Sequence, residues 1–155
     1  MSPSKSFLVD SAIVLALILT GVVGYKLSPL LLPRADIVAE PETGCDLQRQ
    51  ACTATLPEGG RLTFSIAPRS IPVVAPLELS VELDGLAASG VAVDFAGVGM
   101  NMGFNRPALS SVGPGRFVGA ATLPVCVTGR MTWQATVLVE SGTKRYAIPF
   151  RFDAG

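Results

Sequence analysis

The sequence predicts an all-β protein: an immunoglobulin-like antiparallel β-sandwich preceded by one transmembrane helix. Three features carry that expectation. From Phe7 to Tyr25 the chain is apolar almost without interruption, and Asp10 is its one charge. Beyond Ala51, apolar residues recur at every second position in short segments parted by turn residues, the period of a strand with one wet face. No helical period returns after the first run.

Composition bounds the rest. A chain of 155 residues has room for one ordinary domain and an appendage. Twelve basic and twelve acidic residues cancel, so no net field draws nucleic acid to the protein. The hydrophobic share is 49% against 15% charged, which agrees with a membrane segment. Histidine is absent. That excludes His-ligated zinc, Ser-His-Asp and Cys-His catalysis, and the usual base near neutral pH. Three cysteines suggest, in an exported protein, one pair and one leftover thiol.

Residues 1–6 are expected as a cytoplasmic tail and 7–25 as the anchor. As a helix the latter would be roughly 28 Å long, close to the hydrocarbon thickness of a bilayer. Asp10 falls near its amino end, within reach of headgroups. A cleaved signal peptide is the rival reading, but no small-residue cleavage pattern follows closely, and the IVA before Glu40 comes late. Lys5 on one side and Lys26 and Arg34 on the other nearly balance the positive-inside signal. Ala12, Ala16, Thr20 and Gly24 lie four apart, a small-residue stripe of the kind that lets a second helix approach in lipid, although small residues are common in membrane helices generally.

Residues 26–43 hold three prolines and no strand or helix period, and are expected as a linker at the membrane surface followed by an extended tether. The folded domain is expected from 44 to 155. It opens with Cys45 and Cys52, which bracket six residues. A disulfide between them would stabilise by roughly 2.5 kcal/mol. Metal binding by this pair would need further ligands, and the spacing is not CxxC. An oxidised pair needs an oxidising compartment, which puts the carboxyl-terminal domain outside the cytoplasm.

Seven strands are then expected. The first covers Ala51–Leu56. Leu62, Phe64 and Ile66 point inward in the next, and Leu77, Leu79, Val81 and Leu83 in the third. Val91, Val93 and Phe95 follow, then a weaker run centred on Phe117 and Ala121. Met131, Trp133, Ala135, Val137 and Val139 alternate with polar residues, and Tyr146, Ile148, Phe150 and Phe152 close the set. Pro149 lacks an N–H, so the last strand belongs at an edge. Strands at this spacing without helices point to a sandwich. Glu78, Glu82, Asp84 and Asp94 sit on solvated faces, and no carboxylate pair for acid–base work emerges.

The candidate site lies in GVGMNMGFNRP, Gly97 to Pro107, between two of these strands. Met100 and Met102 are two apart, which in extended backbone puts both thioethers on one face. Cys126, in LPVCVTGRM, offers a third soft atom from another loop. Thioethers and thiolates prefer Cu(I) to hard or borderline cations, so Met100, Met102 and Cys126 are the expected metal ligands. Against this, methionine is a good gap-filler and could simply cap the sandwich, and a free cysteine between valines behaves as a small buried hydrophobe. Met131 would add a sulfur if its strand began with that side chain outside the core. A thiol redox enzyme using Cys126 would lack CxxC, so no catalysis is expected.

PLELSVEL, VDFAGVGMNMGFNR, GPGRFVGAATLPVCVTGRMTW and IPFRF, over Leu77 to Phe152, resemble the FixH/YtkA-like group of bacterial proteins. The resemblance implies a short anchor and an immunoglobulin-like domain on the outer, periplasmic face of the bacterial inner membrane. It implies a place beside haem–copper respiratory oxidases, their assembly factors or copper handling. The cysteine pair and the LPVC segment depart from that pattern. Two functions remain in view: a tethered Cu(I)-binding accessory protein, or a metal-free interaction module or small subunit of a membrane complex.

Overall fold

The computed structural model describes residues 5–31, 37–125 and 129–155, with side chains throughout except at 5–8 and 26–31. The chain divides into two compact units, Met1–Arg34 and Ala35–Gly155.

The first unit is one helix, α1 (Lys5–Leu31), longer than expected at both ends. Its described side chains show no preferred apolar face, and Val9, Leu15, Leu19, Val22 and Tyr25 are all exposed. Among the described residues, no helix is long and apolar enough to cross a membrane.

The second unit is mostly β. Its strands are β1 (Ile37–Val38), β2 (Cys52–Thr55), β3 (Arg61–Ala67), β4 (Pro76–Asp84), β5 (Gly90–Gly97), β6 (Ala108–Gly113), β7 (Arg116–Thr122), β8 (Met131–Ser141) and β9 (Lys144–Ala154). They form one mixed sheet in the order β1-β9-β8-β5-β6-β7-β4-β3-β2. All neighbours are antiparallel except β1 and β9. The expected alternation is realised: the inward residues of β3, β4, β5 and β9 named above are all buried, as is Trp133 on β8.

Two strands went unforeseen. β6 pairs with β5 through Ala108 and Leu109, then with β7 from Ser110 onward, with an irregularity between Ser111 and Gly113. A strand that changes partners along its length makes a corner, so the strands form a single curled sheet where two separate ones were expected. Phe64 on β3 and Phe150 on β9, near opposite ends of the strand order, meet with ring centroids 5.3 Å apart. The sheet curls until both halves share one core.

The other unforeseen strand, β1, lies inside the stretch expected as a tether. Ile37 and Val38 pair with Tyr146 and Ala147, and the Ala39 N–H donates to the Ala147 carbonyl at 3.1 Å. Pro41 then bridges Ala54, and the Glu42 N–H donates to the Thr53 carbonyl at 2.8 Å. Residues 37–42 therefore stitch the β9 edge to the β2 edge. Because Ala147 turns its carbonyl toward β1, Pro149, two residues on, places its missing N–H on the same outer side. The proline sacrifices no bond to β8 and denies a donor to any incoming strand.

Candidate functional site

At one end of the sheet three connections come together: 68–75, 98–107 and the start of the one that follows β7. Two hydrogen bonds lace them. The Val74 N–H donates to the Leu123 carbonyl at 2.8 Å, and the Asn105 Nδ2 donates to the Thr122 carbonyl at 3.0 Å. The loops carrying Met100 and Cys126 are thus neighbours where the second begins. Cys126 itself lies outside the described residues.

The 98–107 connection is a folded-back arm. The Val98 N–H donates to Thr132, while the Phe95 and Val93 N–H groups donate to the Asn105 and Pro107 carbonyls at 2.8 and 3.0 Å. At its tip the Asn101 side chain accepts from the Gly103 N–H at 2.9 Å, an Asx turn. Asn101, between the two methionines, therefore starts a turn, and the surroundings of the two side chains differ. Met100 is 41% exposed, whereas Met102 is half-buried against the core.

Met102 meets a different sulfur-bearing side chain. Gly97, the last residue of β5, pairs with Trp133 on β8. A Cβ added at Gly97 would lie 2.5 Å from Met131 Cε and 3.2 Å from Met102 Cγ. Glycine is needed here because the Met100 carbonyl, which is backbone and cannot step aside, lies 2.5 Å from where a Cβ would sit, with the two thioether side chains close to the same point. Met131, the first residue of β8, is half-buried beside the core. A shallow concavity of about 430 Å3 is lined by Ala96 to Gly103. Among the described residues no group of three or more Cys, Asp or Glu side chains is placed to hold a metal.

Around the tip, Arg106 lies over the Phe104 ring at 5.3 Å and pairs with Asp94 at 3.1 Å. Phe104 is 83% exposed, a residue the sequence reading passed over. Its signal was present: 98–107 is a glycine- and asparagine-rich turn segment in which a phenylalanine has no alternating partner. Nearby, Ile71 and Val74 adopt φ of 44° and 57°, a region that β-branched residues rarely occupy. Ile71 is buried and Val74 exposed.

The remaining expectations fall as follows. Cys45 and Cys52 are joined, with S–S 2.01 Å and Cα–Cα 5.3 Å. On α1, Ala12, Ala16, Thr20 and Gly24 are exposed, and the Thr20 hydroxyl donates to the Ala16 carbonyl at 2.8 Å. At the far end of the sheet, Glu58 accepts from Lys144 and from the Tyr146 hydroxyl. The Lys144 bond is the chief reason the Glu58 carboxyl is held below its ordinary value, with Tyr146 second.

No family model matches the chain, and no curated protein does. Among solved structures, a crystal structure of an engineered protein determined at 1.98 Å is similar at 18% identity and a TM-score of 0.44. The match covers 61% of this chain and 20% of that one. A likeness this loose bears on neither family nor function.

Proposed function

We propose that this chain is a membrane-tethered, non-enzymatic accessory protein that holds Cu(I) as cargo on methionine thioethers. In this reading α1 anchors it in a bacterial inner membrane. The β-unit, a curled variant of the immunoglobulin-like sandwich, stands in the periplasm beside a haem–copper oxidase or its assembly factors. The observation that carries the reading is the convergence of Met102 and Met131 over Gly97, with Met100 on the same turn. Two or three thioethers are a donor set for a soft monovalent ion and a poor one for hard cations. Cys126, one loop away, would add a thiolate. The anchor is supported by the apolar run from Phe7 to Tyr25 and by the lack of a preferred apolar face among the described side chains of α1. The disulfide agrees with an oxidising compartment.

The test is Cu(I) uptake by the full chain in detergent, with ascorbate as reductant, against a weak chromogenic chelator. Met→Leu exchanges conserve volume. Met100→Leu, Met102→Leu and Met131→Leu together are expected to abolish uptake, and Cys126→Ser to weaken it. Full uptake by the triple variant would overturn the metal reading.

A second reading, an interaction module without metal, draws on α1. Because Thr20 spends its hydroxyl on its own helix, the stripe of Ala12, Ala16, Thr20 and Gly24 presents a small, hydrogen-bond-free surface suited to a second helix. Here a detergent pull-down would recover a membrane partner that Ala16→Leu releases. Recovery of the monomer alone would count against it.

A further inference from the structure

The strand register sets an aromatic ring beside the two half-buried thioethers. On β8, Met131 and Trp133 are two apart and share one face of the sheet, the face on which Trp133 is buried. Their partners on β9 are Ala154 and Phe152, and the partner of Trp133 on β5 is Gly97. Directly opposed residues of an antiparallel pair stand on the same face with their Cβ atoms about 5 Å apart. Trp133 is therefore flanked by Phe152 on one side and, on the other, by a residue without a side chain. The Met131 methyl and Met102 Cγ fill that opening, 2.5 and 3.2 Å from where a Gly97 Cβ would stand. The two thioether chains take the place of a cross-strand neighbour to the indole.

The rows Met131–Ala154 and Gly97–Trp133–Phe152 hold no charged residue. Trp133 is 1% exposed, and no acceptor among the described residues takes its N–H, so packing alone orients the ring. An ion entering between such groups sheds part of its water, and no carboxylate of these rows offsets the cost. An aromatic face does so for a monovalent ion. Tryptophan is the best cation–π partner among the side chains, and the contact is strongest where it is desolvated. Thioethers select the same kind of ion, soft and singly charged.

We propose that the Trp133 indole completes the Cu(I) site, its ring facing an ion held over Gly97 by the Met102 and Met131 thioethers. This rests on the metal-cargo reading above and adds a residue to it. Trp133 then does more than fill the core: it meets the cargo from the interior side, while the two methionines meet it from the half-open rim.

Trp133 is the one tryptophan of the chain, so tryptophan emission reports on this ring alone. The full chain in detergent, with ascorbate as reductant, is titrated with Cu(I) against a weak chromogenic chelator, and emission is followed with excitation that tyrosine does not absorb. Emission is expected to fall in step with uptake and to stop responding once Met102→Leu and Met131→Leu are introduced together. Trp133→Leu, which removes the ring, is expected to weaken uptake roughly 2- to 30-fold, and Trp133→Phe by less. Should a Trp133 variant fail to fold, the emission of the parent chain still decides. Uptake with unchanged emission, or with equal affinity in the parent and the Trp133 variants, overturns the assignment of Trp133 and leaves the metal reading standing. Quenching that survives the two Met→Leu exchanges puts the ion elsewhere and also overturns it. A chain that takes up no Cu(I) overturns both readings.

Discussion

The Tyr146 hydroxyl donates to Glu58 Oε2 at 2.7 Å, joining the first turn of β9 to the connection between β2 and β3, 88 residues away. Lys144 donates to the other oxygen of the same carboxylate. This polar cluster stands at the opposite end of the sheet from the methionine turn.

Its consequence is a pH dependence with two limbs. The Glu58 pKa is lowered from the ordinary 4.5, chiefly by the Lys144 hydrogen bond. Its stabilisation is complete above the unfolded value and is lost as pH falls through the lower native one. Lys144 is raised from 10.5, and Tyr146 from 10.0, each chiefly by its hydrogen bond to Glu58. Those contributions are complete below the unfolded values and are lost as pH rises through the raised native ones. In urea denaturation as a function of pH, Glu58→Gln is expected to flatten both limbs. An unchanged acid limb would show that the cluster contributes nothing.

Gly115 turns β6 into β7 with φ of 68°, and its carbonyl accepts the Leu83 N–H at 2.7 Å. A Cβ there would run into the Leu83 carbonyl, which is backbone and cannot step aside. Gly115→Ala is expected to destabilise by roughly 1–3 kcal/mol. Gly142→Ala also has positive φ, but open space around it, and should cost about 1 kcal/mol. Denaturation midpoints of the two variants check the order.

How much of this was legible beforehand follows from what each element depends on. β4, β8 and β9 each repeat a two-residue period over several turns of the pleat, so one reading along the chain places their buried faces. β6 reads ALSSVG and buries only Leu109; nothing local marks it, because it exists through partners on both sides. β1 is two residues long and sits among prolines, so the segment resembles a tether until its bonds to Ala147 and Thr53 are known. The site divides in the same way. Met100 and Met102 were visible as a local pair. The approach of Met131 to Met102 depends on the pairing of Gly97 with Trp133, a long-range register that no local pattern encodes.

Trp133 is 1% exposed, and its Nε1 has no hydrogen-bond partner among the described residues. A buried donor left unmatched costs about 1–3 kcal/mol. Trp133→Phe removes that donor along with some packing, so its loss should stay well under the roughly 3–5 kcal/mol typical of Trp→Ala. If both substitutions cost the same in thermal or urea unfolding, the indole N–H is matched in solution.

The Cys45–Cys52 link holds the chain just before β2, where Cys52 is buried. Reduction is expected to lower stability by about 2.5 kcal/mol. Alkylation of the unfolded chain should count one thiol before reduction and three after it. Three thiols without reductant would mean that the link does not persist.

Residues 37–42 have one more implication. Tension arriving from the amino-terminal side would meet the Ile37–Tyr146 and Val38–Ala147 pairs before any longer ladder, and then the contacts of Pro41 and Glu42 with Ala54 and Thr53. Those few bonds make a mechanical fuse, with the covalent Cys45–Cys52 link behind it as a stop. Under load this strip would peel away first, and the nested aromatic interior would be spared.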